Sequence, residues 1–179
     1  VLKTDMTQRQ REYIKKIQGA SQHLLGIIND ILDYSKIEAG KMSLDPQPFA
    51  TERLLRELSM ILASNLNAKP VELLFDIDPR LPAQLYGDAM RLQQVLINLG
   101  GNAVKFTEHG EVRLSIQVLA LDATKVSLQF ALSDSGIGIA AEKQALIFSS
   151  FTQAEASITR RFGGTGLGLS ICKHVLNLH

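Results

Sequence analysis

Apolar and small residues recur along the first forty positions at intervals of three and four. Ile14, Ile17, Ser21, Leu24, Ile28, Ile31 and Ser35 form one line, and Leu25, Ile27 and Leu32 widen it. This is the stripe of a helix that packs in a bundle, broader than a coiled-coil seam. Thr7 and Gln10 make a T-x-x-Q capping box at its start, and Gly40 is a natural stop. No proline interrupts the run, so the pattern predicts a single helix, roughly 50 Å long at ~1.5 Å per residue. Its apolar side needs a partner, which a second copy of the chain would supply.

After Gly40 the texture changes. Lys41 to Leu44 reads as a short strand and Asp45, Pro46 and Pro48 as a break, which puts a domain boundary near Lys41 and divides the chain into residues 1–40 and 41–179. Thr51 to Leu66 is a predicted helix with Leu54, Leu55, Leu58 and Leu62 inward, Val71 to Ile77 a strand, and Asp78, Pro79 and Pro82 a loop. Asp88 caps the next helix. On that helix Leu92, Val95, Leu96, Leu99, Ala103 and Phe106 share an apolar face, while Gln94, Asn98, Asn102 and Lys105 fall together on another. His109 and Gly110 form a turn. Val112 to Leu119 and Lys125 to Leu132 alternate as a hairpin around Asp122 and Ala123. Glu142 to Phe148 reads as a short helix, Ser149 to Gly164 as a long polar segment and Leu167 to Leu178 as a helix. Strands separated by helices and ending in an antiparallel pair predict an α+β sandwich.

Composition narrows the chemistry. Nineteen lysines and arginines against 18 acids leave a net charge of +1, so no bulk field argues for nucleic acid or an anionic membrane, and any anion must be captured locally. The single cysteine, Cys172, excludes an internal disulfide and a multi-cysteine metal site and reads as packing in a reducing compartment. No run of eighteen apolar residues and no signal-peptide pattern occur.

The polar helix face is the first candidate site. Asn98 and Asn102 lie one turn apart and Lys105 three residues on, so two carboxamides and an ammonium project to one side; amide oxygens suit a hard cation such as Mg²⁺ and the lysine suits phosphate. The second is Ser133 to Ile139, SDSGIGI, after a strand: Gly136 and Gly138 let the backbone approach a flat ligand, and Asp134 offers a carboxylate to an exocyclic amine such as that of adenine. The third is Gly163 to Leu169, GGTGLGL, which opens into a helix and aims backbone N–H groups at an anion. It is neither a Walker loop, lacking the Lys-Ser or Lys-Thr, nor a dinucleotide fingerprint, because no strand precedes it. Between the boxes Phe148 and Phe151 would anchor a lid, and Arg160 and Arg161 are placed to reach phosphate.

In their order these motifs resemble sensor histidine kinases. NLGGNAVKFT is similar to the N-box, SDSGIGI to the first glycine box, IFSSFTQAE to the F-box and RRFGGTGLGLSIC to the second glycine box, while IINDILDYSKIEAGKMSL resembles the second dimerisation helix of the hybrid sensor kinases. The resemblance covers nearly the whole chain. It implies a Bergerat-type ATP-binding sandwich with Asn102 as Mg²⁺ ligand, Asn98 beside it on the metal and phosphate face, and Lys105 on phosphate. Asp134 would read the adenine amine, Gly136 and Gly138 would wall the base, and Gly164, Thr165, Gly166, Leu167 and Gly168 would cradle the phosphates. It further implies a homodimer through the bundle helix, a response-regulator receiver domain as partner, and a cytoplasmic domain whose parent is anchored in the bacterial inner membrane.

Three departures bear on these expectations. The family's acceptor histidine stands beside an acid with a proline following, and none of His23, His109, His174 or His179 has that context, so this chain is expected not to phosphorylate itself. It stops at His179, where the family continues into further strands. Gln153 stands where some members carry an arginine, which leaves lid contacts to Arg160 or Arg161. Two competing readings are a non-catalytic module that pairs with another sensor kinase through its bundle helix, and another ATPase of the same fold, such as gyrase or the heat-shock chaperones. NDILDYSKIEAG opposes the latter, since those proteins are not built on such a helix.

Overall fold

The computed structural model describes residues 6–66, 69–149 and 166–178, and the chain divides into two compact units, Val1–Met42 and Ser43–His179. The first unit is the long helix α1 (Gln8–Glu38). Its capping box forms as the sequence predicts: Thr7 Oγ1 accepts from Gln10 N at 3.3 Å and Gln10 Oε1 from Thr7 N at 2.9 Å. At the other end Gly40, at φ +63°, turns the chain out of the helix, and Lys41 N donates to Lys36 O. Tyr13, Ile17, Leu24, Leu25, Ile28, Ile31 and Leu32 are all exposed.

The second unit builds β1 (Gln47–Ala50), α2 (Thr51–Leu66), β2 (Val71–Ile77), β3 (Gln84–Gly87), α3 (Ala89–Phe106), β4 (Gly110–Leu121), β5 (Val126–Asp134), α4 (Ala141–Gln144) and α5 (Gly168–Leu178). Strands β2, β4 and β5 form a sheet in the order β2-β4-β5, with β2 parallel and β5 antiparallel to the central β4. The parallel pair needs a crossover, and α3 supplies it. On β4, Val112, Leu114, Ile116 and Val118 are buried and alternate with more exposed residues, so one face of the sheet carries the core. Leu114 and Ile116 meet Leu54, Leu58 and Leu62 of α2 and Leu96 of α3 there. Beyond β2, Asp78 ties its loop to the sheet, accepting from Val118 N and from the Arg80 guanidinium, whose hydrogen bonds hold the carboxyl well below the usual carboxylate range.

Three local expectations are corrected. Lys41 to Leu44 is not a strand; the strand lies at Gln47–Ala50 and includes Pro48, expected to be a break. Proline is tolerated because β1 pairs with β3 alone in a two-stranded ribbon, Pro48 opposite Tyr86. Strand β3 itself was not expected between Pro82 and Asp88. The short helix expected over Glu142 to Phe148 is one turn, Ala141–Gln144, continued by turns.

Helix α3 comes so close to α2 that a Cβ at Gly100 would stand 2.8 Å from Leu62 Cδ1. Gly100→Ala is therefore expected to destabilise the chain by about 1 kcal/mol, overpacking outweighing the gain in helix propensity. Leu62→Ala should cost ~2–5 kcal/mol. In that background the Gly100 substitution should turn stabilising, because its methyl enters the vacated space. Urea unfolding of the four proteins tests this, and simple additivity of the two changes would refute the contact.

Candidate functional site

Helix α3 carries the polar face and is fixed at both ends. Asp88 caps its N-terminus, accepting from Arg91 N at 2.9 Å with one oxygen and from Asp45 N at 2.9 Å with the other. At the C-terminus the Lys69 ammonium donates to the carbonyls of Val104, Lys105 and Thr107 at 2.7, 3.1 and 2.9 Å. Between these caps no residue from 91 to 107 is exposed. Val95, Leu96, Gly100, Ala103 and Val104 are buried, whereas Leu92, Leu99 and Phe106, expected in the apolar face, are half-buried. Asn98, Asn102 and Lys105 are half-buried too, which a merely solvated face would not be. Burial lowers the Lys105 pKa from the ordinary lysine value, and its Nζ stands 5.0 Å from the centre of the Phe106 ring.

Two glycine segments close on this helix. In the first, Asp134 ends β5 and its Oδ1 accepts from Gly136 N at 2.9 Å. A Cβ at Gly136 would lie 2.6 Å from Phe106 O, so only glycine lets the segment rest against the last turn of α3. Ser135 staples it to β4: its Oγ accepts from Glu111 N at 2.9 Å, and its N–H donates to Glu111 O. Gly138 takes a left-handed conformation at φ +68°.

The second segment leads into α5, which packs on α3 through Ile171, Cys172 and Val175, the Cys172 thiol 3.9 Å from Val95 O. Gly168, the first residue of α5, faces Asn98: a Cβ there would stand 3.4 Å from Asn98 Cγ. Gly166 is at φ +71°, and Leu167 is 1% exposed. The structure thus brings Asn98 to Gly168 and Asp134 and Gly136 to the end of α3. Phe148 is exposed. Phe151, Arg160, Arg161, Gly164 and Thr165 lie outside the described residues.

Two buried side-chain atoms have no hydrogen-bond partner among the described residues, Asn98 Nδ2 and Thr107 Oγ1. An unsatisfied buried donor costs about 1–3 kcal/mol, and Asn98 Nδ2 lies where the amide face meets a glycine-rich helix N-terminus whose amides favour an anion. Among the described residues no three His, Cys, Asp or Glu side chains gather to hold a metal; the amide oxygens of Asn98 and Asn102 are hard donors of the type Mg²⁺ takes. The sequence signal missed Lys69 because its partners lie 35 to 38 residues away, and a lone lysine before a strand announces no cap.

A one-sided mixed sheet, a polar helix in its core layer and two glycine segments against that helix, one at its last turn and one at its middle, define an ATP-binding α/β sandwich of the Bergerat type. The chain belongs to the family described as histidine kinase-, DNA gyrase B- and HSP90-like ATPase, matched over residues 87–179. Residues 1–40 match the His Kinase A phospho-acceptor domain, and the two together mark a sensor histidine kinase. The chain is 44% identical over 176 residues to the signal transduction histidine-protein kinase BarA of Escherichia coli K12, covering 98% of this chain and 19% of BarA. It is 41% identical over 174 residues to the sensor histidine kinase GacS of Pseudomonas protegens, covering 97% and 19%. Full-length ShkA, solved in complex with AMPPNP, superposes with a TM-score of 0.74 at 32% identity over 99% of this chain and 35% of that one. The nucleotide-free catalytic domain of histidine kinase ThkA gives 0.57 at 29% identity, covering 74% and 80%. The chain thus spans about a fifth of the length of these bacterial relatives.

The two glycines against α3 differ in what they meet. Gly136→Ala drives a methyl into a backbone carbonyl and should lower the melting temperature by about 4 °C or more. Gly168→Ala brings one only to ordinary contact distance from a side chain and should shift it by less than about 2 °C. Thermal melts followed by circular dichroism distinguish them, and equal shifts would contradict the contacts.

Proposed function

We propose that residues 41–179 bind ATP with Mg²⁺ and donate the γ-phosphoryl group to a histidine of the kinase's dimerisation bundle, from which it passes to an aspartate on a response-regulator receiver domain. The observation that carries this is the buried, unpartnered Asn98 Nδ2 at the meeting of the amide face with the start of α5. An N–H donor in that position is completed by a phosphate oxygen. Asn102, with Asn98 beside it, would hold Mg²⁺, which when bound supplies charge neutralisation on the phosphates. Lys105, already partly desolvated, gains more from a phosphate partner than a fully hydrated ammonium would.

At the other end of the site Asp134 accepts the exocyclic amine of the base, and Gly136 and Gly138 keep the wall thin enough for a flat ring to lie against backbone. Gly164, Thr165, Gly166, Leu167 and Gly168 would present backbone N–H groups to the phosphates, and Arg160 and Arg161 with the Phe148 and Phe151 segment would act from a lid. The protein's contribution is positioning and electrostatics, with no covalent step of its own. The acceptor belongs to a His-acid context that none of this chain's four histidines has. The site set, the domain limits at residues 40 and 41 and a cytoplasmic location, where ATP is supplied, are parts of the same reading.

Two measurements test it. Asn102→Ala and Asp134→Ala should each reduce Mg-ATP affinity by about a hundredfold in calorimetry, the upper range for losing a contact to a charged ligand group; unchanged affinity in both would refute the site. We infer, second, that α1 forms a homodimer bundle, since its apolar row is exposed along four turns and more. Light scattering at high concentration should give twice the mass of the chain, and Ile28→Glu together with Leu32→Glu should restore a monomer. A monomeric parent would refute the pairing.

A further inference from the structure

We propose that Lys69 is a positioning residue for the nucleotide site: its ammonium holds the last turn of α3 and thereby sets where Lys105 and the Gly136 wall stand. The inference rests on the nucleotide reading above. A lysine ammonium has three N–H donors and no acceptor, and here it makes three contacts, to the carbonyls of Val104, Lys105 and Thr107 at 2.7, 3.1 and 2.9 Å. These are carbonyls that a helix leaves without amide partners where it ends. A cation there also faces the negative end of the helix dipole.

The lysine is itself braced. Lys69 N donates to Leu66 O at 3.0 Å at the end of α2, Val71 N donates to Lys69 O at 2.9 Å, and Gly110 N donates to Pro70 O at 3.2 Å at the start of β4. The clamp is therefore anchored to α2 and the sheet and acts on a turn that carries the site. Phe106 O lies between the clamped carbonyls in sequence and is the atom that Gly136 approaches so closely that a Cβ would be 2.6 Å away. Lys105, whose own carbonyl is held, bears the phosphate-facing ammonium. Releasing the turn moves both, but not equally. The glycine wall keeps a second anchor in Ser135, bonded to Glu111 of β4, whereas the last turn loses its cationic cap.

Calorimetry on the full chain with Mg-ATP and, separately, with adenosine tests this, with melts by circular dichroism confirming that each variant is folded at the assay temperature. Lys69→Met keeps the length and loses the charge; it should weaken Mg-ATP binding about tenfold or more and adenosine binding less than about threefold. Lys69→Arg keeps a cation at the helix end and should stay within about threefold of the parent for both ligands. A purely structural lysine would instead lower both affinities alike, in step with the unfolded fraction, and that result overturns the proposal. So does parental Mg-ATP affinity in the folded methionine variant. A parent chain that binds neither ligand overturns the nucleotide reading and this inference with it, whereas a binding parent with an indifferent Lys69 overturns only the latter. Should the methionine variant melt below the assay temperature, Lys69→Gln at 10 °C decides: an intermediate loss confined to Mg-ATP supports the clamp, and parental affinity refutes it.

Discussion

Helix α3 has to be core and working surface at once, and most of the second unit follows from that constraint. A helix with one dry face and one wet face would leave Asn98, Asn102 and Lys105 in water, where an amide is worth little to a ligand. Instead no residue from 91 to 107 is exposed, because α2 covers one side, α5 another and the sheet a third. Half-burial strengthens whatever electrostatic contact these side chains make. It also raises the cost of leaving them without one, as the unpartnered Asn98 Nδ2 shows. A surrounded helix cannot satisfy its ends with solvent, so its termini are met by charged side chains, Asp88 at one end and Lys69 at the other.

Enclosing a helix so tightly requires its neighbours to give up side chains where they touch it. Two glycines meet this need directly, and a third lies at contact distance. Gly100, on α3 itself, admits Leu62 of α2, Gly136 after β5 admits the Phe106 carbonyl, and Gly168 at the start of α5 rests against the Asn98 carboxamide. The last two are also glycines of the motif boxes. Their part in the fold and their part toward a ligand are thus one property: absence of a side chain lets backbone N–H groups stand next to α3, which is what an anion held between them would need.

What the sequence disclosed follows from the range of each interaction. The period of β4 and β5, the length of α1 with its capping box and the two faces of α3 are local patterns, and each was readable. Strands β1 and β3 were not, because four residues containing Pro48 or Tyr86 hold no period to recognise and they exist only by pairing with each other. Within α3 the buried set shifted toward Gly100 and Val104, since packing by three neighbours widens the face that a simple helical wheel predicts. In the candidate site, Asn98, Asp134 and Gly136 could be singled out because they sit in contiguous motifs. Lys69 was not, since its contacts depend on where a chain segment 35 residues away arrives.

The net charge of +1 settles how such a site must attract a polyanion. A long-range field from so balanced a chain is small, and screening removes much of the rest beyond about 8–10 Å. On the proposed reading, attraction would instead be assembled at contact range from the amides at the start of α5, the Asn98 carboxamide beside them and the partly desolvated Lys105. Each is modest in water and stronger where it is half-buried. On that reading, local capture would also discriminate better than bulk charge, because a nucleotide would have to satisfy the carboxylate of Asp134 as well as these donors. An anion without a base would meet only part of that arrangement, and a base without phosphates would leave the Asn98 donor unpaired.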